Sequence, residues 1–227
     1  MSKKKKIVIV GGGINGLIAA NYLSKDGFSV SIIEKKPIVG GACTFRTKKI
    51  GNQTIDFALG ATVLGMMPDF IFQETGLSNN VEIFSPKHPK LVYFPDSNTS
   101  TRIYQNYKKL DQEIKNKWGE KGDLKSFRND EDKIIDFIRQ GFKFGETPSL
   151  EKANAILGKT LTNLWMNGSA KNLLDHYFTS DKTKIYMGMT RIESGSSSMH
   201  NKGTAFTIPL MDSGSVFNGY WGYVKGG

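Results

Sequence analysis

The chain opens with apolar residues in two patterns, a continuous run typical of a strand and a segment with helical spacing. Residues 7–10 form an unbroken β-branched run, which is typical of a central parallel strand that is buried on both faces. Three glycines follow at once, and residues 14–23 have the spacing of a helix, which we expect Gly27 to end in a left-handed cap. Residues 28–34 predict a second strand. This order of strand, glycine turn, helix and strand indicates an α/β fold that begins with a Rossmann-like domain.

Shorter patterns continue the chain as strands and one short helix. Four segments have the composition of strands, namely residues 44–46, 53–57, 81–84 and 90–94. The first two flank a turn at Gly51 and Asn52. Between the two pairs, residues 68–74 predict a short helix that Pro68 opens and Gly76 closes. We expect the last two strands to begin a second domain.

The second half of the chain carries apolar residues at helical spacing in four groups. They are Tyr107, Leu110, Ile114 and Trp118; Ile134, Ile135, Ile138 and Phe142; Leu150, Ala153 and Leu157; and Leu173, Leu174, Tyr177 and Phe178. We expect Thr147 to cap the third helix, with Pro148 at its first position. Each stripe could line a lipophilic channel, but packing in a core is the more common role and the one expected here. Residues 194–198 predict a loop rich in glycine and serine.

The glycines after the first strand have the spacing G-x-G-x-x-G, with Gly11, Gly13 and Gly16 at the three fixed positions. The first allows the tight turn, the second lets the backbone approach a pyrophosphate, and the third lets the helix pack closely on the strand. The free N–H groups and the positive end of the helix would bind the phosphates. The turn therefore predicts a nucleotide site, without identifying the nucleotide.

Glu34 and a second glycine pair restrict the choice of cofactor. Glu34 ends the second strand, eighteen residues after Gly16, where a carboxylate accepts hydrogen bonds from the ribose 2′- and 3′-hydroxyls and repels a 2′-phosphate. The pair Gly40 and Gly41 begins six residues later. The glycine turn, the acidic residue and the second glycine pair together favour FAD over a nicotinamide cofactor. The alternative, a chance glycine-rich loop with Glu34 as an ordinary exposed charge, is disfavoured by the complete order of elements.

The same residues carry a resemblance to a known family. The segments KKIVIVGGGINGLIAANYL and VSIIEKKPIVGGACTFRT resemble the N-terminus of FAD-dependent oxidoreductases that include phytoene desaturases, retinol saturases and flavin amine oxidases. The closest resemblance is to the phytoene-dehydrogenase-like branch that contains pyridine nucleotide-disulfide oxidoreductase domain-containing protein 2. It implies that Gly40 and Gly41 let the chain pass close to the FAD. Amine oxidases tend to place arginines around this pair, whereas the nearest arginine here is Arg46, which favours the desaturase-like branch.

Motifs and resemblance together give a set of candidate FAD-binding residues: Gly11, Gly12, Gly13, Asn15, Gly16, Glu34, Lys35, Gly40, Gly41 and Ala42. Residues 219–227 resemble a segment of the same branch in which glycines open a helix near the flavin. We therefore expect residues 1–80 to form a Rossmann-like FAD-binding segment, 81–217 part of an α+β substrate domain, and 218–227 a return segment toward the flavin. Members of the family are much longer, so the resemblance implies an N-terminal fragment; the alternative is a short protein that ends at Gly227.

Charge and hydropathy bear on partners and location. The formal net charge is +10, from 31 Lys and Arg against 21 Asp and Glu, but the lysines are spread along the chain and no nucleic-acid-binding motif occurs. We expect no nucleic-acid partner, while peripheral association with an anionic membrane surface is compatible with this charge. No apolar run reaches the roughly 18 residues that span a bilayer, and no signal peptide is predicted. We therefore expect a cytoplasmic location.

The cysteine and histidine content argues against two other chemistries. Cys43 is the single cysteine, so the chain has neither an internal disulfide nor the C-x-x-C pair of a flavin disulfide reductase. His88, His176 and His200 are far apart in sequence and lack metal-ligand spacing. We expect no metal site.

The sequence thus predicts an FAD-dependent oxidoreductase. The resemblance implies hydride transfer between flavin N5 and a carbon of an apolar isoprenoid or lipid-like substrate, in a desaturation, saturation or isomerisation. One alternative is a flavin amine oxidase that acts on C–N bonds. Another is a non-enzymatic prenyl-protein carrier of the GDP-dissociation-inhibitor type, which shares the fold and the glycine turn but lacks flavin. The sequence assigns no catalytic acid or base and no oligomeric state.

Overall fold

Two parallel strands, β1 (Lys6–Val10) and β2 (Ser29–Ile33), pair from Lys6 opposite Ser29 to Val10 opposite Ile33. These strands are the first elements of the structure, a computed structural model. It describes residues 4–58, 60, 63–64, 66–146, 149–193, 197–216 and 222–225. The chain divides into two compact units. Unit 1 consists of Met1–Leu64, Asp69–Phe84 and Gly222–Gly227, and unit 2 of Gly65–Pro68 and Ser85–Trp221.

Helix α1 (Ile14–Lys25) connects the two parallel strands. It ends as predicted, because Gly27 has a φ of 88° and its N–H donates to the Ser24 carbonyl while the Phe28 N–H donates to the Leu23 carbonyl. This pair of bonds is a Schellman motif, which satisfies carbonyls at the helix end. The predicted Rossmann-like start of an α/β fold is confirmed.

The prediction that β1 is buried on both faces is wrong for this structure. Val8 is 59 % exposed and Val10 is 83 % exposed, whereas Ile7 and Ile9 are half-buried. The side chain of Ile9 lies beside Gly16 of α1, so the helix covers the face that Ile9 occupies. Because side chains of a strand alternate between faces, Val8 and Val10 lie on the uncovered side.

A β-hairpin follows in unit 1, made of β3 (Phe45–Ile50) and β4 (Gln53–Ala58). Its turn contains Gly51, whose φ of 59° lies in the left-handed region that glycine adopts at no steric cost. Both predicted strands are present, and the first runs four residues further than the sequence pattern suggested. The hairpin register sets Phe45 opposite Ala58 and Ile50 opposite Gln53.

The remainder of unit 1 consists of two short helices and a second pair of strands. They are α2 (Asp69–Glu74), α3 (Leu77–Asn80), β5 (Ile83–Phe84) and β8 (Tyr223–Val224). Gly76, with a φ of 81°, follows the first of these helices as predicted, whereas the second helix was not predicted. The two strands pair antiparallel, and Lys225 bonds both carboxylate oxygens of Glu82 beside them. The expected return segment 218–227 lies mostly outside the described residues, which include 222–225 of it.

Unit 2 opens with a second hairpin, β6 (Lys90–Phe94) and β7 (Thr99–Ile103), joined by a 3-10 turn at Pro95–Ser97. The sequence predicted β6 but missed β7. The remaining elements are helices: α4 (Tyr107–Trp118), α5 (Leu124–Phe144), α6 (Leu150–Leu161), α7 (Ala170–Tyr177), α8 (Asp181–Glu193) and α9 (Thr207–Met211), with a π-helical turn at Thr162–Met166 and a 3-10 turn at Thr204–Phe206. No helix in the described part of the chain is long and apolar enough to cross a membrane.

Side-chain caps begin several of these helices. Asn106, Asp123, Ser149 and Ser169 each accept a hydrogen bond from the backbone N–H three residues further on, which satisfies a donor that the helix itself cannot. The cap expected at residues 147–148 lies outside the described residues. The start of α6 is capped instead by Ser149, directly before Leu150.

The predicted helical stripes form the core of unit 2, as expected. The buried members are Leu110, Ile114, Trp118, Ile134, Ile135, Ile138, Ala153, Leu173, Leu174, Tyr177 and Phe178. Trp165 and Phe127, both fully buried, lie at the centre with ring centroids 5.2 Å apart. Three members of the stripes differ from the prediction, because Tyr107, Phe142 and Leu150 are 37 %, 44 % and 49 % exposed.

Candidate functional site

The glycine turn of unit 1 depends on two glycines whose conformation or contacts exclude a side chain. Gly11 has a φ of 105° and donates its N–H to the Ile33 carbonyl across 2.8 Å. A Cβ added at Gly16 would lie 2.2 Å from the Gly11 carbonyl oxygen, well inside van der Waals contact. The turn therefore packs backbone against backbone, and the residue types at these two positions are set by sterics.

The N-terminus of α1 offers backbone donors to a ligand. Gly13 is the N-cap residue and provides no side-chain cap, and the first helical bond runs from the Leu17 N–H to the Gly13 carbonyl. The N–H groups of residues 14–16 thus precede the first intrahelical bond. A Cβ added at Gly13 would have no atom within 4 Å, so the space before the helix is open. This arrangement fits an anion such as a pyrophosphate.

Glu34 lies at the edge of this turn. Its Oε2 accepts a hydrogen bond from the Gly12 N–H at 2.7 Å, and its Oε1 accepts one from the Lys36 N–H at 2.9 Å. The hydrogen bond from the Lys36 N–H, followed by that from the Gly12 N–H, lowers the pKa of Glu34 below its usual value. The carboxylate is therefore ionised at neutral pH, and each oxygen keeps a further lone pair that can accept from a hydroxyl.

The second glycine pair packs directly against the first turn. The Gly40 N–H donates to the Gly12 carbonyl at 2.7 Å, and Gly13 and Gly40 form a parallel bridge. A Cβ added at Gly41 would lie 3.1 Å from the Gly13 Cα. Both Gly40 and Gly41 have positive φ, 121° and 62°, a conformation that side-chain-bearing residues rarely adopt. Two glycine motifs that are distant in sequence thus lie side by side.

The other sequence-predicted residues surround this centre. Asn15 is exposed in the first turn of α1, and Lys35 is exposed directly after Glu34. Ala42 is exposed beyond the glycine pair, and its carbonyl oxygen would lie 3.1 Å from a Cβ added at Gly60. The structure therefore brings the glycines and Glu34 into contact, and leaves these three side chains at the surface around them.

Three further residues of this region are not among the candidate FAD-binding residues predicted from the sequence. Val39 packs on Gly12, because a Cβ added there would lie 2.9 Å from the Val39 Cγ1. The backbone of Lys36 helps to hold the Glu34 carboxylate, and Gly60 lets the chain pass Ala42 closely. An isolated glycine after a strand is a signal for such a close approach, and it could have identified Gly60. The roles of Val39 and Lys36 depend on long-range or backbone contacts that leave no sequence pattern.

No group of three or more His, Cys, Asp or Glu side chains that could hold a metal ion occurs among the residues that the structure describes. Cys43, which follows the glycine pair, is exposed and free.

Comparisons with known proteins cover the region that contains the glycine turn. Residues 9–69 match the family model described as NAD(P)-binding Rossmann-like domain. The chain is 29 % identical over 210 residues to 4,4'-diapolycopen-4-al dehydrogenase of Metabacillus indicus, covering 83 % of this chain and 40 % of that protein. It is 32 % identical over 102 residues to phytoene desaturase of Fusarium fujikuroi, covering 42 % of this chain and 17 % of that protein.

A solved structure supports the fold alone. The PF1083 protein from Pyrococcus furiosus superposes with a TM-score of 0.53 at 13 % identity, covering 98 % of this chain and 45 % of that one. The chain thus begins with a dinucleotide-binding Rossmann-like domain and is related to oxidoreductases named as a dehydrogenase and a desaturase. The resemblance stated from the motifs is confirmed. The chain spans less than half the length of these relatives.

Proposed function

We propose that this chain carries the dinucleotide half of the cofactor site, and part of the substrate domain, of a phytoene dehydrogenase-like, FAD-dependent oxidoreductase. The observation that carries the proposal is the contact of Gly40 and Gly41 with the turn at Gly12 and Gly13, with the Glu34 carboxylate beside them. A Rossmann turn alone suits several dinucleotides. The second glycine pair adds a close backbone passage at the same place, which suits the longer path of FAD.

The candidate residues of this site each have a role in holding FAD. The N–H groups at the start of α1 and the positive end of the helix dipole bind the pyrophosphate. Gly13 leaves room for it, since a Cβ there would fill the open space before the helix. Glu34 accepts from the ribose hydroxyls and repels a 2′-phosphate. Asn15, Lys35 and Ala42 border the same region, and Gly40 and Gly41 let the chain pass close to the cofactor.

The proposed reaction is hydride transfer. When bound, FAD supplies hydride transfer at its N5, and the substrate carbon belongs to an apolar isoprenoid or lipid-like molecule that is desaturated, saturated or isomerised. The names of the relatives, a diapolycopenal dehydrogenase and a phytoene desaturase, support this substrate class. The protein binds and orients the reactants and excludes water. A cytoplasmic location, with peripheral attachment to an anionic membrane surface through the basic side chains, fits a lipophilic substrate.

Competition binding tests the cofactor assignment. Fluorescent FAD would be titrated with the chain, and ADP, FMN and NADP⁺ would be added as competitors. We expect ADP to displace FAD, because the site holds the adenosine and pyrophosphate half. We expect FMN to compete poorly because it lacks that half. NADP⁺ should also compete poorly, because its 2′-phosphate meets Glu34. Displacement by NADP⁺ as strong as that by ADP contradicts the proposal.

A further inference from the structure

The region of unit 2 where α5 ends and α6 begins presents large apolar side chains to solvent. Phe144, the last residue of α5, is 69 % exposed, and Ile156 on α6 is 62 % exposed. Both side chains line a groove between the two helices, so they belong to one surface. Single exposed apolar residues need no explanation, whereas a group of them on one surface is a candidate interaction site.

Two lysines accompany this apolar pair. Lys143 directly precedes Phe144, and its Nζ lies 5.8 Å from the centroid of the Phe144 ring. Lys152 stands four residues before Ile156, so both lie on the same face of α6, and Lys152 lines the groove as well. We call Lys143, Phe144, Lys152 and Ile156 the α5–α6 surface.

The acidic side chains of this region leave an excess of positive charge. Glu146 lines the groove and pairs with Lys152. Glu151 lies five residues before Ile156, which places it roughly 140° away around the helix axis. Residues 143–159 carry three lysines and two glutamates, a net charge of +1, within a chain whose net charge is +10. The α5–α6 surface therefore combines protruding apolar side chains with cations, which suits an anionic apolar partner.

We propose that the α5–α6 surface docks on an anionic lipid membrane, with Phe144 and Ile156 inserted among the headgroups and Lys143 and Lys152 on the lipid phosphates. The proposal rests on the peripheral attachment proposed above and names the surface that performs it. Helices that lie on membranes bind in this way, with apolar side chains at the boundary between headgroups and acyl chains and lysines at the headgroups.

The lysines can change partners at little cost. In the pair of Lys152 with Glu146, both side chains are more than half exposed, at 52 % and 57 %, and exposed ion pairs contribute little to stability. The long lysine stem lets the ammonium group reach a phosphate while its carbons lie along the neighbouring apolar side chain. A second copy of the chain fits the surface less well, because a two-fold contact would bring two positive surfaces together.

Co-sedimentation with vesicles of phosphatidylcholine, with and without about 30 % phosphatidylserine, tests the proposal. We expect the chain to bind the vesicles that contain phosphatidylserine. The double variant Phe144→Ser and Ile156→Ser should bind them at least about ten-fold more weakly, because it loses two buried apolar side chains. Ile185→Ser is the matched control, since Ile185 is 57 % exposed on another helix, α8, and should bind like the unchanged chain.

A fluorescent side chain reports the insertion directly. In Phe144→Trp, the emission of the added indole should shift to shorter wavelength when anionic vesicles are present, and brominated lipids should quench it, because the side chain leaves water. Ile185→Trp should show neither change. The spectrum of the unchanged chain is subtracted in both cases, and circular dichroism checks that all variants fold.

The outcomes separate this proposal from those on which it rests. A chain that binds no anionic vesicles overturns it together with the peripheral attachment. Vesicle binding that is unchanged in the double variant, or an unchanged emission of Phe144→Trp, overturns the α5–α6 surface and leaves the attachment to other basic side chains. A dimer that forms without lipid and is lost in the double variant, as measured by analytical ultracentrifugation, assigns the surface to a second copy and also overturns the proposal. FAD is absent throughout, so the result is independent of the cofactor assignment.

Discussion

The Glu34 carboxylate accepts a hydrogen bond from the backbone N–H of Gly12 across 2.7 Å. This bond joins the end of β2 to the glycine turn that follows β1, and it sets the acid beside the N-terminus of α1. Nearby, the Gly12 carbonyl accepts from the Gly40 N–H. One residue of the first turn therefore touches both of the other motifs that predict FAD.

Replacement of Glu34 should weaken FAD binding without unfolding the chain. The Glu34→Ala variant loses the acceptor for the ribose hydroxyls, and we expect a fall in FAD affinity of roughly ten-fold or more. The fold should persist, because Glu34 is partly exposed. Glu82→Ala is the control, since its exposed pair with Lys225 contributes little. FAD affinity that is equal in the two variants would show that the ribose assignment is wrong.

Two glycine variants separate a role in binding from a role in packing. Gly13 has φ and ψ of −73° and 175°, which alanine adopts freely, and its added Cβ meets no atom within 4 Å. Gly13→Ala should therefore fold normally and lose FAD. Gly16→Ala places its Cβ 2.2 Å from the Gly11 carbonyl oxygen and should destabilise unit 1 by about 1–3 kcal/mol. Urea unfolding and FAD titration of both variants measure the difference; wild-type FAD affinity in Gly13→Ala contradicts the site.

Glu120 makes the stability of unit 2 depend on pH in the acidic range. Burial alone would raise its pKa, but hydrogen bonds from the backbone N–H groups of Thr179, Gly122 and Ser180 outweigh it and lower the pKa from 4.5 to about 2. A lowered folded-state pKa stabilises the fold above the unfolded value and loses this contribution as pH falls. We expect stability to decrease between about pH 4.5 and pH 2, by about 3 kcal/mol.

Urea unfolding at a series of pH values checks this expectation against the Glu120→Gln variant. The variant should be less stable than the wild type at neutral pH, and the difference should shrink as pH falls through this window. A difference that stays constant from pH 7 to pH 2 would exclude Glu120 as the source of the acid dependence.

Tyr177 connects two groups in the core of unit 2. It accepts a hydrogen bond from Trp165 Nε1 at 3.1 Å and donates one to Asp130 Oδ2 at 2.8 Å. Tyr177→Phe leaves the indole N–H without its acceptor, and we expect a loss of about 1–3 kcal/mol. Tyr93→Phe, which removes an exposed bond to Asn98, should change stability by less than about 0.5 kcal/mol. Equal losses in the two variants would contradict this account of the core.

Local patterns predicted the start of unit 1 and most helices of unit 2. The turn at Gly11, the end of α1 at Gly27 and the hairpin at Gly51 each depend on a few neighbouring residues, so the sequence contains the whole signal. β7 was missed because its polar composition, T-S-T-R-I, hides the alternation that buries Thr101 and Ile103.

Contacts between distant residues were beyond sequence reasoning. The motifs identify Gly12 and Gly40 as candidate residues. Nothing in the sequence indicates that their backbones are hydrogen-bonded to each other. Arg128 and Glu131 were also missed, although Glu131 stands four residues after Phe127 and three before Ile134, on the apolar side of α5. A charged residue within such a stripe is a usable signal for a buried ion pair.

The absorption spectrum of the purified chain, recorded after addition of FAD and removal of the unbound cofactor, decides whether the chain is a flavoprotein. We expect retained flavin bands at about 370 and 450 nm, as for a protein that binds an electron-carrying flavin, and their loss in Gly13→Ala. A chain that stays colourless and also fails to bind FAD at equilibrium would contradict the flavoprotein assignment and favour a carrier that shares the fold without the cofactor.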